Sequence, residues 1–374
     1  MTAQTAEQQN DQPAGPPPVR VALCVDPDAL DRLGRVLRHL CVGMVDQAVQ
    51  LRLVSSDPSV ASLTLGPVQT VIHRPVVWPV AQRRFAELSA ALAAQPPTVV
   101  HAFSRASYKL AEMLALRFDA DLVVQVTSLA DGEHLRRFDT NRIRAFIAPS
   151  EPLSVFLTDQ LQIEADRIEL IRPGIRAAPA ISSFADEHEA VTLLCTSPFR
   201  PDSGVDRLIE AAAMVHRAGH EFLLFLLGQG NQESALRRLV RARKLHSQVT
   251  FARPMGDPAS AMQGADVFVR PSADTALVDD TLQAMANGVA VVAAYSPVCD
   301  HLRPEETAVV CESATPAALA GAIERFLVDR MFAQSIAGGA LEYVRTQHSV
   351  SRMAEAAAAV YRKLTLARAT FSLR

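Results

Sequence analysis

The sequence predicts an α/β chain of two doubly wound domains, and three observations lead there. Its 374 residues exceed the roughly 250–300 at which a single core stops growing, so two domains are expected. Apolar runs of strand length alternate almost throughout with amphipathic segments of helix length, the pattern of parallel sheets covered by helices on both faces. Near the middle, residues 177–189 interrupt that alternation with alanines, serines and acidic residues, a composition that suits a flexible connection.

The first unit reads as a strand over 19–25, a turn at Asp26-Pro27-Asp28 and a helix over about 29–42. Strands follow over 50–54, 70–73, 98–101, 122–127 and 145–149, with helices over 80–94 and 107–117 between them. A strand from Ile168 runs into Arg172-Pro173-Gly174, closing a first domain over 19–176 before a linker over 177–190. The second domain, 191–345, opens on the run Val191-Thr192-Leu193-Leu194-Cys195. It continues with a helix over 204–218, a strand over 221–227 ending in Gly228-Gln229-Gly230, a helix over 233–244, and strands over 249–251 and 267–269. A helix over 316–330 follows, and the alanine-rich stretch 354–359 marks a final helix within 346–374. Residues 1–18, rich in Gln, Ala and Pro, are expected to form a disordered tail.

Composition removes several function classes. With 37 Lys+Arg against 40 Asp+Glu, the net charge gives no electrostatic reason to expect nucleic acid or an anionic membrane as partner. The five cysteines are scattered and lack metal-ligand spacing, so they read as reduced apolar residues, and no metal or cofactor is expected. No apolar run approaches the roughly 18 residues of a membrane span, and the N-terminus has no signal-peptide core. A cytoplasmic protein without a transmembrane segment is the expectation.

The stretch Pro271-Ser272-Ala273-Asp274-Thr275-Ala276-Leu277-Val278-Asp279-Asp280-Thr281-Leu282-Gln283-Ala284-Met285-Ala286-Asn287-Gly288, with the apolar run after it, resembles the donor-binding segment of retaining GT-B glycosyltransferases of family 4. There a strand end reading Pro-Ser precedes a Glu-Gly-Phe-like turn, a helix reading Leu-Glu-Ala-Met-Ala-x-Gly, and a strand. Gly204-Val205-Asp206-Arg207-Leu208-Ile209-Glu210-Ala211, Gly228-x-Gly230 and Ala265-Asp266-Val267-Phe268-Val269-x-Pro271-Ser272 match further family phrases in the right order. Several ordered motifs are specific where a lone Gly-x-Gly is not. The resemblance spans about 190–364 and implies a GT-B fold: two doubly wound Rossmann-like domains facing each other across a cleft, with the terminal helix crossing back to the first.

It also implies a nucleoside-diphosphate sugar as donor, an acceptor bound on the first-domain side, and a retaining, metal-independent transfer. The diphosphate leaves with growing negative charge, so the family sets an Arg and a Lys before the first helix of the second domain. Here those positions fall on Pro198 and Ser203, while the sugar-contacting and ribose-contacting glutamates fall on Thr275 and Gln283. Losing two hydrogen bonds to a charged partner removes about 3–6 kcal/mol, roughly a hundredfold or more in affinity. Arg200, two residues from the expected arginine, is the candidate substitute, Asp274 a candidate for the missing carboxylate, and Ser272, Thr275, Gln283, Gly228 and Gly230 complete the candidate donor site.

The family also places backbone N–H groups at the start of the donor helix against the diphosphate. Here Asp279 and Asp280 stand at that end, good N-terminal residues for a helix that would repel a diphosphate. The glycine-rich loop after the first strand is replaced by Asp26-Pro27-Asp28, and the histidine after the 122–127 strand is missing, leaving His101 and His134 as weak candidates. Three functions stay open: a divergent hexosyltransferase, a non-catalytic protein of the same fold serving as scaffold or partner of another glycosyltransferase, and a sugar- or nucleotide-binding module.

Overall fold

The computed structural model describes residues 17–372 apart from 64–66, 77–79, 185–189 and 254–258. Most of the expected tail, and residues 185–189 of the linker, lie outside the described residues.

Seven strands form the first sheet: β1 (Arg20–Cys24), β2 (Gln50–Ser55), β3 (Gln69–Ile72), β4 (Val99–Ala102), β5 (Asp121–Gln125), β6 (Ile143–Ala148) and β7 (Ile168–Leu170). Their spatial order is β3-β2-β1-β4-β5-β6-β7, every pair parallel. The helices are α1 (Pro27–Asp46), α2 (Ala81–Ala93), α3 (Tyr108–Phe118), α4 (Leu129–Leu135) and α5 (Glu151–Asp159). A second parallel sheet contains β8 (Val191–Thr196), β9 (Phe222–Leu227), β10 (Val249–Ala252), β11 (Val267–Arg270), β12 (Ala290–Ala294) and β13 (Val309–Cys311), in the order β10-β9-β8-β11-β12-β13. Its helices are α6 (Val205–Arg217), α7 (Glu233–Ala242), α8 (Ala259–Gln263), α9 (Asp280–Ala286), α10 (Pro316–Val328) and α11 (Arg330–Gln347), with α12 (Val350–Ser372) last. Strand order reverses between β1 and β4 and between β8 and β11, so each domain opens a crevice at the carboxyl ends of its strands.

The strands are apolar because both faces are covered. Leu23, Val100, Val123, Leu193 and Val291 are fully buried, each stabilising the fold by roughly 1.5–3 kcal/mol relative to exposure.

Several elements differ from expectation. α1 runs on to Asp46 and kinks at Leu33 (φ −134, ψ 21), next to Gly34, the kind of position where helices bend. The helix expected to 330 ends at Val328, because Asp329 caps α11 by accepting from the Phe332 amide at 2.9 Å. The short α4, α5, α8 and β13 have too few residues for their apolar period to stand out. Where it is described, the linker lies against the second domain. Ala178 donates to the Ala286 carbonyl at 2.7 Å, Ser182 and Ser183 to that of Gly288, and Phe184 to the Asp266 carboxylate at 2.8 Å. A Cβ on Gly288, which holds φ +68, would collide with Ile181, so glycine there lets the linker lie against the second domain.

α12 packs along α1, with Ala354 where a Cβ on Gly43 would be. Tyr361 Oη meets His101 Nδ1 at 2.8 Å, and Arg362 donates to the Gln47 carbonyl at 2.6 Å. The two chain crossings between domains run side by side: Ile175 donates to the His348 carbonyl at 2.8 Å, and His348 Nδ1 sits 2.8 Å from the Pro173 carbonyl.

Candidate functional site

The segment between β11 and α9 lies on the seam between the domains. At its root is Arg270, the residue ahead of Pro271-Ser272. Only 9% of it is exposed, and its guanidinium pairs with both Asp274 and Asp280 while Nε donates to Ser272 Oγ at 3.1 Å. Burial opposes its charge, but Asp280 and Asp274 outweigh burial and hold it firmly protonated. Asp274 and Ser272 therefore belong to a buried ion cluster: Ser272 Oγ donates to Asp274 at 2.8 Å. The cluster's positive charge is matched by two carboxylates, leaving none for a diphosphate.

Beyond the cluster the segment is tied to the first domain through its main chain. Ser128 and Ala276 form an antiparallel bridge: Leu129 donates to the Thr275 carbonyl at 3.0 Å, and Leu277 donates to the Thr127 carbonyl at 2.8 Å. Arg32 on α1 donates from Nη1 to the Leu277 carbonyl at 2.9 Å and from Nη2 to Thr127 Oγ1 at 3.2 Å. Asp131 holds Thr127 in place, accepting from its N–H at 2.9 Å and its hydroxyl at 2.7 Å. Asp279 completes the seam, its N–H donating to the Arg32 carbonyl at 3.1 Å. Buried backbone donors need partners, and those ahead of α9 find theirs in first-domain carbonyls.

The Asp279 side chain does not cap α9, contrary to its sequence reading; no capping bond forms. The carboxylate turns to α1, where Oδ1 lies 3.4 Å from Arg35 Nη1. Burial, set against the Arg35 guanidinium and the Arg35 and Val36 amides near the α1 kink, pushes its pKa up to about 7. Oδ2 is buried without a partner. A second cross-domain contact lies at Asp300, which receives Arg172 Nη1 at 2.5 Å and the Glu151 amide at 3.1 Å, capping α5 from the opposite domain.

The other predicted site residues divide into separate places. Gly228 and Gly230 are covered by their own domain, since a Cβ on either would strike the Ser197 or Phe199 carbonyl. Phe199 is 1% exposed and donates to the Gln229 carbonyl at 3.0 Å. Pro198 is exposed, and Ser203 bonds from Oγ to the Arg200 carbonyl at 2.8 Å. Arg200 itself is exposed, and the group that feels its charge is Asp31 on α1. Thr275 is exposed, and its carbonyl joins the seam by accepting from Leu129. Gln283, 5% exposed, keeps Nε2 buried without a partner.

At the glycine-loop position, Asp26 caps α1, accepting from the Ala29 amide at 3.0 Å, and burial raises its pKa. Asp26 lines a cavity of about 270 Å³ with His73, Ser107 and Lys109. His101 is a core residue, its pKa lowered to about 3 by burial; His134 lies between Tyr108 and Phe138. Sequence reasoning missed Arg270, Arg32 and Arg35. Only Arg270 left a local signal, an arginine ending an apolar strand four residues ahead of Asp274.

Among the described residues no helix is long and apolar enough to cross a membrane. Residues 190–329 match the family Glycosyl transferases group 1. A 95-residue stretch is 30% identical to the O-antigen biosynthesis glycosyltransferase WclY of Escherichia coli, covering 25% of this chain and 26% of that relative, so the match spans about a quarter of the relative's length. A glycosyltransferase from Rickettsia africae superposes at TM-score 0.77 with 14% identity, over 93% of this chain and 98% of that one. Sucrose-phosphate synthase from Thermosynechococcus elongatus gives 0.77 with 20% identity, over 93% and 100%, and Anabaena HepE in complex with UDP and glucose 0.72 with 16%, over 91% and 99%. At these identities the structural likenesses carry the fold alone. The chain thus has the GT-B fold, and its second domain matches the glycosyl transferases group 1 family over residues 190–329.

Proposed function

We propose that this chain is a divergent glycosyltransferase-family protein that does not run the family's retaining transfer from a nucleoside-diphosphate hexose, and serves instead as a non-catalytic GT-B scaffold or partner of another glycosyltransferase. One observation carries the reading: the N–H groups of Leu277 and Asp279, just ahead of α9 where the resemblance puts the diphosphate, already donate to the Thr127 and Arg32 carbonyls. Replacement of both cations, both glutamates, the glycine loop and the histidine supports it from the sequence. The charge balance agrees, because Arg270, the buried cation of the segment, is matched by Asp274 and Asp280.

Transfer, or nucleotide binding without transfer, is the competing reading, and Gln283 favours it. Its Nε2 is buried and unpartnered at the position that the resemblance assigns to the ribose, and HepE, of the same fold, is known in complex with UDP-glucose. A ribose hydroxyl would satisfy that amide once the seam opened. A thermal-shift titration against UDP, GDP, ADP and their sugar conjugates at low salt separates the readings. No shift up to millimolar ligand supports the scaffold; saturable stabilisation by one nucleotide overturns it and starts the search for an acceptor.

A further inference from the structure

Two arginines of the first sheet, Arg52 buried and Arg20 half-buried, lack an acidic partner among the described residues. Arg20 opens β1 opposite Gln50, and Arg52 lies on β2 opposite Ala22. Residues two apart on a strand share a face, and register partners share it too, so Arg20 and Arg52 project from the same side of adjacent strands. Only 8% of Arg52 is exposed, and Arg20 Nε is buried without a hydrogen-bond partner. Among the described residues neither forms an ion pair. The charged neighbour that acts on Arg52 is Arg20: burial first, then that second cation, lowers the Arg52 pKa. The contrast lies within the chain, for buried Arg270 holds two carboxylates and Arg172 holds Asp300.

Like charges brought together at low exposure are unfavourable unless an anion joins them. Guanidinium groups offer forked donors that match a tetrahedral oxyanion. Arg20 opens β1 and Arg52 is the third of six residues in β2, both in the amino-terminal halves of their strands, whereas the interdomain seam lies at the carboxyl ends. We infer that Arg20 and Arg52 form a binding site for a phosphate-class oxyanion, separate from the cleft. Free phosphate and the phosphate-ester headgroup of a lipid share this chemistry.

The test uses the full chain, with Arg52→Met and Arg52→Lys beside the wild type, each checked for folding by circular dichroism. Inorganic phosphate is titrated against thermal stability at constant ionic strength, with chloride as the control. The wild type responds saturably to phosphate and not to chloride, Arg52→Met binds at least roughly tenfold more weakly, and Arg52→Lys falls between. Without phosphate, Arg52→Met is at least as stable as the wild type, because burial and repulsion are relieved together. Co-sedimentation with phosphatidylcholine vesicles, with and without phosphatidate, distinguishes the sources: phosphatidate-dependent sedimentation lost in Arg52→Met assigns a lipid headgroup, and phosphate binding without sedimentation assigns a soluble phosphate. An equal phosphate response in wild type and Arg52→Met, or no response in either arm, overturns the site.

Discussion

The amide of Leu277 donates to the carbonyl of Thr127 at 2.8 Å, joining the segment ahead of α9 to the loop after β5. With the Leu129 to Thr275 bond beside it, this is a short antiparallel pairing across the domain boundary. A main-chain pairing between facing loops of the two domains ties them together at this boundary.

Leu129→Pro tests that pairing with little other damage. Leu129 is the first residue of α4, where proline is tolerated, and Ser128 before it is already extended at φ −153, ψ 162, as a residue before proline must be. The N–H to Thr275 is removed, and the half-buried Leu129 side chain is exchanged for another apolar one. We expect a loss of about 1 kcal/mol in urea unfolding and a larger radius of gyration in small-angle scattering; an unchanged radius would show that the pairing does not hold the domains.

Asp279 gives the stability a pH dependence. Its folded pKa of about 7 lies above the ordinary 3.8, so the folded state keeps a proton that the unfolded state releases. The contribution is fully present below about pH 4 and is lost as pH rises through 7, by at most about 4 kcal/mol. Asp279→Asn removes it. The variant's stability relative to wild type should therefore rise between pH 4 and pH 7 and then level off, as read by urea midpoints across that range.

Arg270→Met should cost about 3 kcal/mol, chiefly because it strands the mostly buried Asp280, while solvent screens the more exposed Asp274. Adding Asp274→Asn and Asp280→Asn to the same chain should recover most of the loss. A single variant as stable as the wild type would mean that the cluster is hydrated.

Restoring Pro198→Arg, Ser203→Lys and Gln283→Glu together tests whether side chains alone were lost. The donor amides remain engaged by Thr127 and Arg32, so calorimetry should detect no UDP, GDP or ADP binding in the triple variant. Recovery of binding would show that the seam yields to a nucleotide.

Much of the fold was legible because its signals are local. Strand-length apolar runs alternating with amphipathic helices gave the two sheets, and the Pro271-Ser272 frame with the Ala284-Met285-Ala286 helix pointed to the GT-B family. The seam was not legible, since its bonds join residues far apart in the chain. Arg32 meets Leu277 and Arg35 meets Asp279 only after both domains have folded, and nothing in the α1 pattern marks which arginine faces the cleft. Asp279 illustrates the difficulty: an aspartate at a helix start reads as a cap, yet here a cross-domain partner wins. The packing of residues 178–183 against α9 and Gly288 was not legible for a similar reason, because small polar residues suit a flexible chain and close packing equally.

Site-resolved hydrogen exchange at the Leu277 and Asp279 amides, with and without UDP, GDP, ADP and their sugar conjugates, tests the closed donor site most directly. The account predicts that both amides are strongly protected in the free protein and that nucleotides leave this protection unchanged. Rapid exchange in the free protein, with protection appearing only when a nucleotide is added, would contradict it.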